Sequence, residues 1–201
     1  MKNADVCAVI LAGGKSRRMG FNKALLDVQG QPLIRVVAEQ VRDLTDLVFI
    51  SSNEPTIYDF LGLQVVPDIF HAQGPLAGLH ASMVSCSRSL FLLLACDLPN
   101  LHEALLHRLI QHADSSDAVI PRTEDGHAHP LCAVYRRTCF ARVDENLRLG
   151  INRMTALFLD PSLKVKWLSP TEGCFTDSDL HNLNVPDDLA PYEGRITKPG
   201  V

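Results

Sequence analysis

Two stretches of this chain are apolar almost without interruption: DVCAVILA, residues 5–12, and SLFLLLACD, residues 89–97. A strand with one wet face alternates apolar and polar residues. A run that does not alternate must be covered on both faces. Two such strands in one chain call for a sheet with packing layers above and below it. That is the arrangement of a mainly parallel sheet whose strands are joined by helical crossovers.

The rest of the chain agrees. QPLIRVVAEQVRDL (31–44), GPLAGLHASMVSCS (74–87) and LPNLHEALLHRLIQHA (98–113) have helical periodicity, and DLVFISS (46–52) and LQVVPD (63–68) read as strands between them. DAVIPR (117–122) and PLCAVYRR (130–137) are two further strands around a turn at Glu124-Asp125-Gly126. TCFARVDENLRL and NRMTALFL follow as helices, and KVKWLS (164–169) alternates as an edge strand does. HNLN (181–184) is a short strand or turn, and VPDDLAPYE opens a last helix. With 201 residues, 46% of them hydrophobic, the chain suits one domain. The expected fold is α/β: a single three-layer α/β/α domain over 1–201 with a mainly parallel, Rossmann-like sheet and a loose tail at 190–201.

The formal net charge of −4 argues against a nucleic-acid binder, and no 18-residue apolar run suggests a membrane span. The N-terminal apolar run leads into a glycine loop and reads as a core strand, not a signal peptide. None of the six cysteines forms a CxxC pair, which fits buried thiols in a reducing cytoplasm. His102, His107 and His112 are five apart, about 500° of helical turn, so they point in different directions and read as solvated. His127 and His129 in GHAH fit a turn better than a metal site.

The stretch after the first strand, LAGGKSRRMGFNK (11–23), holds most of the chemistry. Gly14-Lys15-Ser16 resembles the end of a P-loop, but the first P-loop glycine would fall on Val9, inside the strand. Gly13, Gly14 and Gly20 do not fit Gly-x-Gly-x-x-Gly either. The physics remains: a glycine pair lets backbone approach a ligand closely, and Lys15, Arg17, Arg18 and Lys23 bring four cations into nine residues. The loop after the first strand of a parallel sheet is where ligands collect, so these groups suit a polyphosphate. Other strands end in polar punctuation that would share the same edge: Ser51-Ser52-Asn53, Pro67-Asp68, Cys96-Asp97, and a glycine-rich turn at Gly74 to Gly78. Asp97 reads in two ways, as the N-cap of the following helix or as the acid that holds Mg²⁺ on a nucleotide.

LAGGKSRRMGFNK resembles the LAGG-x-S-x-R-M-G-x-x-K signature of the molybdenum cofactor guanylyltransferases. GQPLI, GPLAGL, CDLPNL, HPLCAVY and HNLNVPDDL resemble that family's later elements, in the family's order. The resemblance covers nearly the whole chain. It implies a nucleotide-diphospho-sugar-transferase-like fold and an enzyme that moves GMP from GTP onto the terminal phosphate of molybdenum-molybdopterin, with Mg²⁺ as cofactor and release of pyrophosphate. Molybdoenzyme apoproteins or other proteins of cofactor biosynthesis are the macromolecular partners it implies, in a cytoplasmic setting.

Carried onto this sequence, Leu11, Ala12, Gly13 and Gly14 contact the nucleotide, Lys23 and Arg18 its phosphates, Asp68 the nucleoside, and Asp97 the Mg²⁺. Either Ser51 or Asn53 contacts the base, Gly78 belongs to the second glycine turn, and His129, Asn182 and Asn184 line the acceptor side. Lys23, Arg18 and Asp97 are the expected catalytic set. Three other readings share parts of the pattern: the cytidylyl analogue, which reads LAAG where this chain has Leu11-Ala12-Gly13-Gly14; the sugar-phosphate nucleotidylyltransferases, mostly longer; and a non-catalytic carrier of the cofactor.

Overall fold

The first apolar run forms strand β1 (Val6–Leu11), every residue of it buried. Its side chains divide by parity. Val6, Ala8 and Ile10 enter one apolar cluster, and Cys7, Val9 and Leu11 enter another on the opposite face. The second run, β6 (Leu90–Ala95), is buried along its whole length; Leu90, Leu92 and Leu94 enter the first cluster, joined by Ala95, and Phe91 and Leu93 enter the second. The computed structural model describes residues 2–13, 22–28 and 30–182.

Seven strands make the main sheet, in the order β5-β4-β1-β6-β8-β7-β9. The remaining members are β4 (Val48–Ser51), β5 (Gln64–Val66), β7 (Ala118–Pro121), β8 (Cys132–Arg136) and β9 (Val165–Leu168). All neighbours pair in parallel except at β8, which runs antiparallel to both β6 and β7. A separate two-stranded hairpin joins β2 (Asp27–Val28) to β3 (Gln31–Pro32).

Helices cover both faces. Buried residues of α1 (Leu33–Val41) and α3 (Glu103–His112) join the cluster of Val6, Ala8 and Ile10. Those of α2 (Pro75–Ser85), α4 (Phe140–Arg148) and α5 (Thr155–Phe158) join the other. A short α6 (Pro170–Gly173) is closed by a capping box between Ser169 and Glu172. This is the expected three-layer α/β/α arrangement with a mainly parallel sheet, and β9 is the expected edge strand. Among the described residues no helix is long and apolar enough to cross a membrane.

Several boundaries differ from the sequence reading. Gln31 and Pro32 belong to the hairpin, so α1 starts at Leu33. The helix expected over 98–113, with an entry turn at Pro99-Asn100, starts at Glu103, with His102 at its N-cap. Pro99 biases the residue before it away from helical geometry, and Leu98 and Leu101 are buried, which anchors this stretch as an irregular crossing at the sheet edge. Asp97 therefore stands well before the helix and is not its N-cap. Gly78 does not lie in a turn but inside α2. The expected final helix, Leu183 and Asn184 of HNLN, and the tail lie outside the described residues.

Candidate active site

The strand register collects the candidate residues on one edge. Leu11 lies opposite Ser51 of β4 and Ala95 of β6, and Ser51 lies opposite Val66 of β5. Val66, Ser51, Leu11 and Ala95 thus form one row across four parallel strands. Two residues beyond that row come Asp68, Asn53, Gly13 and Asp97, one from each strand end. Three strand spacings separate the outer two, about 14 Å.

At one end of this row Asn53 and Asp68 hold each other. Asn53 Nδ2 donates to Asp68 Oδ2 at 2.9 Å, and the Asp68 backbone N–H donates to Asn53 Oδ1 at 2.9 Å. Ser51 is placed differently. It is buried, its carbonyl accepts from the Ala12 N–H, and its side chain packs against α2. A Cβ built on Gly78 would stand 2.3 Å from Ser51 Oγ and 2.8 Å from Leu11 Cδ2. Gly78 is there to let the helix approach the sheet. Gly74, with φ of +65°, turns the chain into α2 at its N-cap, followed by Pro75 at the start of the helix.

At the other end, Lys23 Nζ lies 3.1 Å from Asp97 Oδ2, both side chains only 16% exposed. Asp97 Oδ1 is buried and has no hydrogen-bond partner among the described residues. Lys23 opens a short 3-10 turn, Lys23–Leu25, capped by Asn22, whose Oδ1 accepts from the Ala24 N–H. Beside Asp97, burial and then the carboxylate push the Cys96 thiol up to about 12, so it is a neutral group and no nucleophile.

β8 enters the sheet at this edge, because it runs antiparallel. The Ala95 N–H donates to the Leu131 carbonyl, and the His129 N–H donates to the Pro121 carbonyl. His129 is half-buried, its Nε2 has no partner among the described residues, and its ring stands 4.9 Å from that of His127, two residues earlier. Burial and then His127 lower its pKa, so it is neutral at pH 7. Asn182 is the last described residue of the chain; Gly14, Arg18 and Asn184 lie outside the described residues.

The sequence reading did not find Tyr58 or Asn22. Tyr58 lies on a 3-10 helix, Pro55–Leu61, with Gly62 in the left-handed region after it. Its hydroxyl donates to the Ala12 carbonyl at 3.0 Å and accepts from Asn22 Nδ2 at 3.0 Å. Pro55 near the start and Gly62 past the end were the available signal for that helix.

Comparison with known proteins agrees with this architecture. The MobA-like NTP transferase domain matches residues 8–161. The molybdenum cofactor guanylyltransferase of Desulfosudis oleivorans is 34% identical over 198 residues, covering 95% of this chain and 96% of that protein. That of Syntrophotalea carbinolica is 37% identical over 198 residues, covering 96% and 92%. The solved structure of molybdopterin-guanine dinucleotide biosynthesis protein A from Archaeoglobus fulgidus superposes with a TM-score of 0.77 at 22% identity, covering 93% of this chain and 96% of that one. Its fold is the nucleotide-diphospho-sugar transferase fold, as expected from the sequence. By the matched domain and by its relatives, the chain belongs to the MobA-like NTP transferases and, among these nucleotidyltransferases, to the molybdenum cofactor guanylyltransferase family.

Proposed function

We propose that this enzyme transfers GMP from GTP to the terminal phosphate of molybdenum-molybdopterin, making the guanine dinucleotide form of the cofactor. The observation that supports it most is the row Asp68, Asn53, Gly13, Asp97. Its span of about 14 Å suits a nucleoside triphosphate lying across the strand ends. The base sits at the Asn53–Asp68 end and the phosphates at the Gly13–Lys23–Asp97 end, where Gly14 and Arg18 of the signature also belong. Asn53, exposed and oriented by Asp68, is the base contact; Ser51 is occupied in packing against α2.

The donor set at Asp97 fits Mg²⁺. A buried carboxylate oxygen without a partner among the described residues is a hard ligand, and Mg²⁺ commonly takes one or two carboxylates together with substrate phosphates. Bound there, Mg²⁺ supplies positive charge against the triphosphate and the departing pyrophosphate. Lys23 adds a cation on the same side.

The acceptor is a phosphate monoester, its second pKa about 6, and so largely dianionic at neutral pH. It needs no base. One of its oxygens forms a bond to the α-phosphorus of GTP as the bond to the α,β-bridging oxygen breaks, and that electron pair leaves on pyrophosphate. The task of the protein is to bring anion to anion, which the basic residues of the loop serve. His129, neutral at pH 7, and Asn182 are the described residues assigned to the acceptor side.

The test is pyrophosphate release with Mg²⁺ and molybdenum-loaded molybdopterin, comparing GTP with CTP and ATP. Release with GTP alone is expected. Release with CTP in its place would keep the transfer and overturn the base assignment. No release with any nucleotide, from folded protein that binds the cofactor, would make the chain a carrier.

A further inference from the structure

Tyr58 is fully buried, yet its hydroxyl is placed with more care than packing requires. It donates to the Ala12 carbonyl, at the point where the chain leaves β1. It accepts from Asn22 Nδ2, at the point where the chain returns. In sequence, residues 13–21 of the signature lie between those two anchors. Asn22 spends its other side-chain atom on the Ala24 N–H, which shapes the turn that carries Lys23. Lys23 in turn meets Asp97 at the end of β6.

We infer that Tyr58 is a positioning residue for nucleotide binding: its hydroxyl closes the base of the signature loop and so sets where Lys23 stands relative to Asp97. The inference rests on the nucleotidyl-transfer reading above. A phenol suits the task because one oxygen both donates and accepts. Burial, the largest influence on it, raises its pKa, so the donated proton is retained at any pH where the enzyme works. Packing alone does not explain the group. The ring belongs to the apolar cluster of α1 and α3, and a phenylalanine would fill the same space.

Tyr58→Phe is therefore the test. It keeps the ring and removes both hydrogen bonds. The KM for Mg-GTP is expected to rise about tenfold, the change that loss of about 1.4 kcal/mol of binding gives. The KM for the molybdopterin acceptor is expected to stay within twofold. Asn22→Ala should raise the GTP KM similarly, and the double variant should be no worse than the more affected single one, because both break one chain of contacts. Unchanged GTP KM in Tyr58→Phe, whatever its melting temperature, would overturn the inference, and so would additive effects of the two changes.

A second readout does not depend on turnover. Hydrogen exchange at the Ala24 amide, held by Asn22, should quicken in Tyr58→Phe while exchange at the Ile10 amide in the core of β1 stays as in the parent protein. Equal protection at Ala24 would overturn the inference even if the parent proved inactive with GTP. Inactivity of the parent with every nucleotide would overturn the proposed reaction alone.

Discussion

Lys23 Nζ meets one oxygen of Asp97 at 3.1 Å, while the other oxygen of the same carboxylate is buried and accepts no hydrogen bond among the described residues. The two residues are 74 positions apart in the chain, Lys23 on a 3-10 turn and Asp97 just past the end of β6. A carboxylate placed only for stability would have both oxygens engaged, since a buried acceptor left without a partner costs about 1–3 kcal/mol. In the proposed reaction that second oxygen is the ligand for Mg²⁺.

Asp97→Asn tests this directly. The amide keeps the shape and removes the charge. Turnover should fall on the order of 10²-fold or more, and the Mg²⁺ concentration for half-maximal rate should rise. The melting temperature should change little, because a single partly exposed ion pair contributes at most about 1 kcal/mol. Undiminished turnover at low Mg²⁺ would remove Asp97 from the metal site.

Lys23→Ala removes the cation and leaves Asp97 free of its partner. Turnover should again fall by roughly 10²-fold, with the GTP KM raised. Near parental kinetics would show that the signature lysine does not touch the phosphates.

The base assignment separates Asn53 from Ser51. Asn53→Ala should raise the KM for GTP and narrow the preference for GTP over ATP, because a hydrogen-bonding site rejects the wrong partner by leaving polar groups unpaired. Ser51→Ala should leave that preference unchanged. The reverse pattern would move the base contact into the packed surface beneath α2.

Much of this was legible in the sequence for physical reasons. Runs such as VCAVILA and LFLLLAC have only one stable placement, in the middle of a covered sheet, so the layers and the functional edge follow from them. Asp68, Asn53 and Asp97 could be expected at one edge because parallel strands put all their carboxyl ends together. Their exact alignment, two residues past a common row, depends on register, which is set by pairing between distant segments. The insertion of β8 between β6 and β7 is a choice of the same kind. Asp97 could be read as a cap because only the tertiary burial of Leu98 and Leu101 delays the helix to Glu103. Gly78 looked like a turn residue because close approach to Ser51 leaves no trace in local sequence. The hydroxyl of Tyr58 was invisible for the same reason: its partners are 46 and 36 residues away.

Gly78→Ala should destabilise the protein. The new methyl would fall 2.3 Å from Ser51 Oγ and 2.8 Å from Leu11 Cδ2, so helix, strand or both must shift. Overpacking of this kind costs about 1–3 kcal/mol. Adding Ser51→Ala should restore part of the loss by removing the nearer clash, and thermal unfolding of the single and double variants measures it. A neutral Gly78→Ala would mean that α2 can lift off the strand ends without cost.

The same helix, α2, carries a pH dependence that can be separated from the chemistry. His80 of α2 is buried between the rings of Phe70 and Phe140, with Nε2 3.2 Å from Asp144, which also pairs with Arg148. Burial lowers the His80 pKa, Asp144 opposes that shift, and Arg148 reinforces it. The folded protein therefore holds His80 neutral where the unfolded chain, titrating near 6.5, begins to take up a proton. With more protons bound by the unfolded state, stability falls as the pH drops through about 6.5 and levels off below the folded value. His129, lowered by its own burial, acts in the same sense. The carboxylates of Asp144, Asp160 and Glu172, all held below their usual range, act only at lower pH, where the unfolded chain protonates near 4. Melting temperature should thus decline between about pH 7.5 and 5.5, and His80→Gln should show a shallower decline over the same range. An equal slope in the two proteins would assign the dependence to His129 or to another histidine.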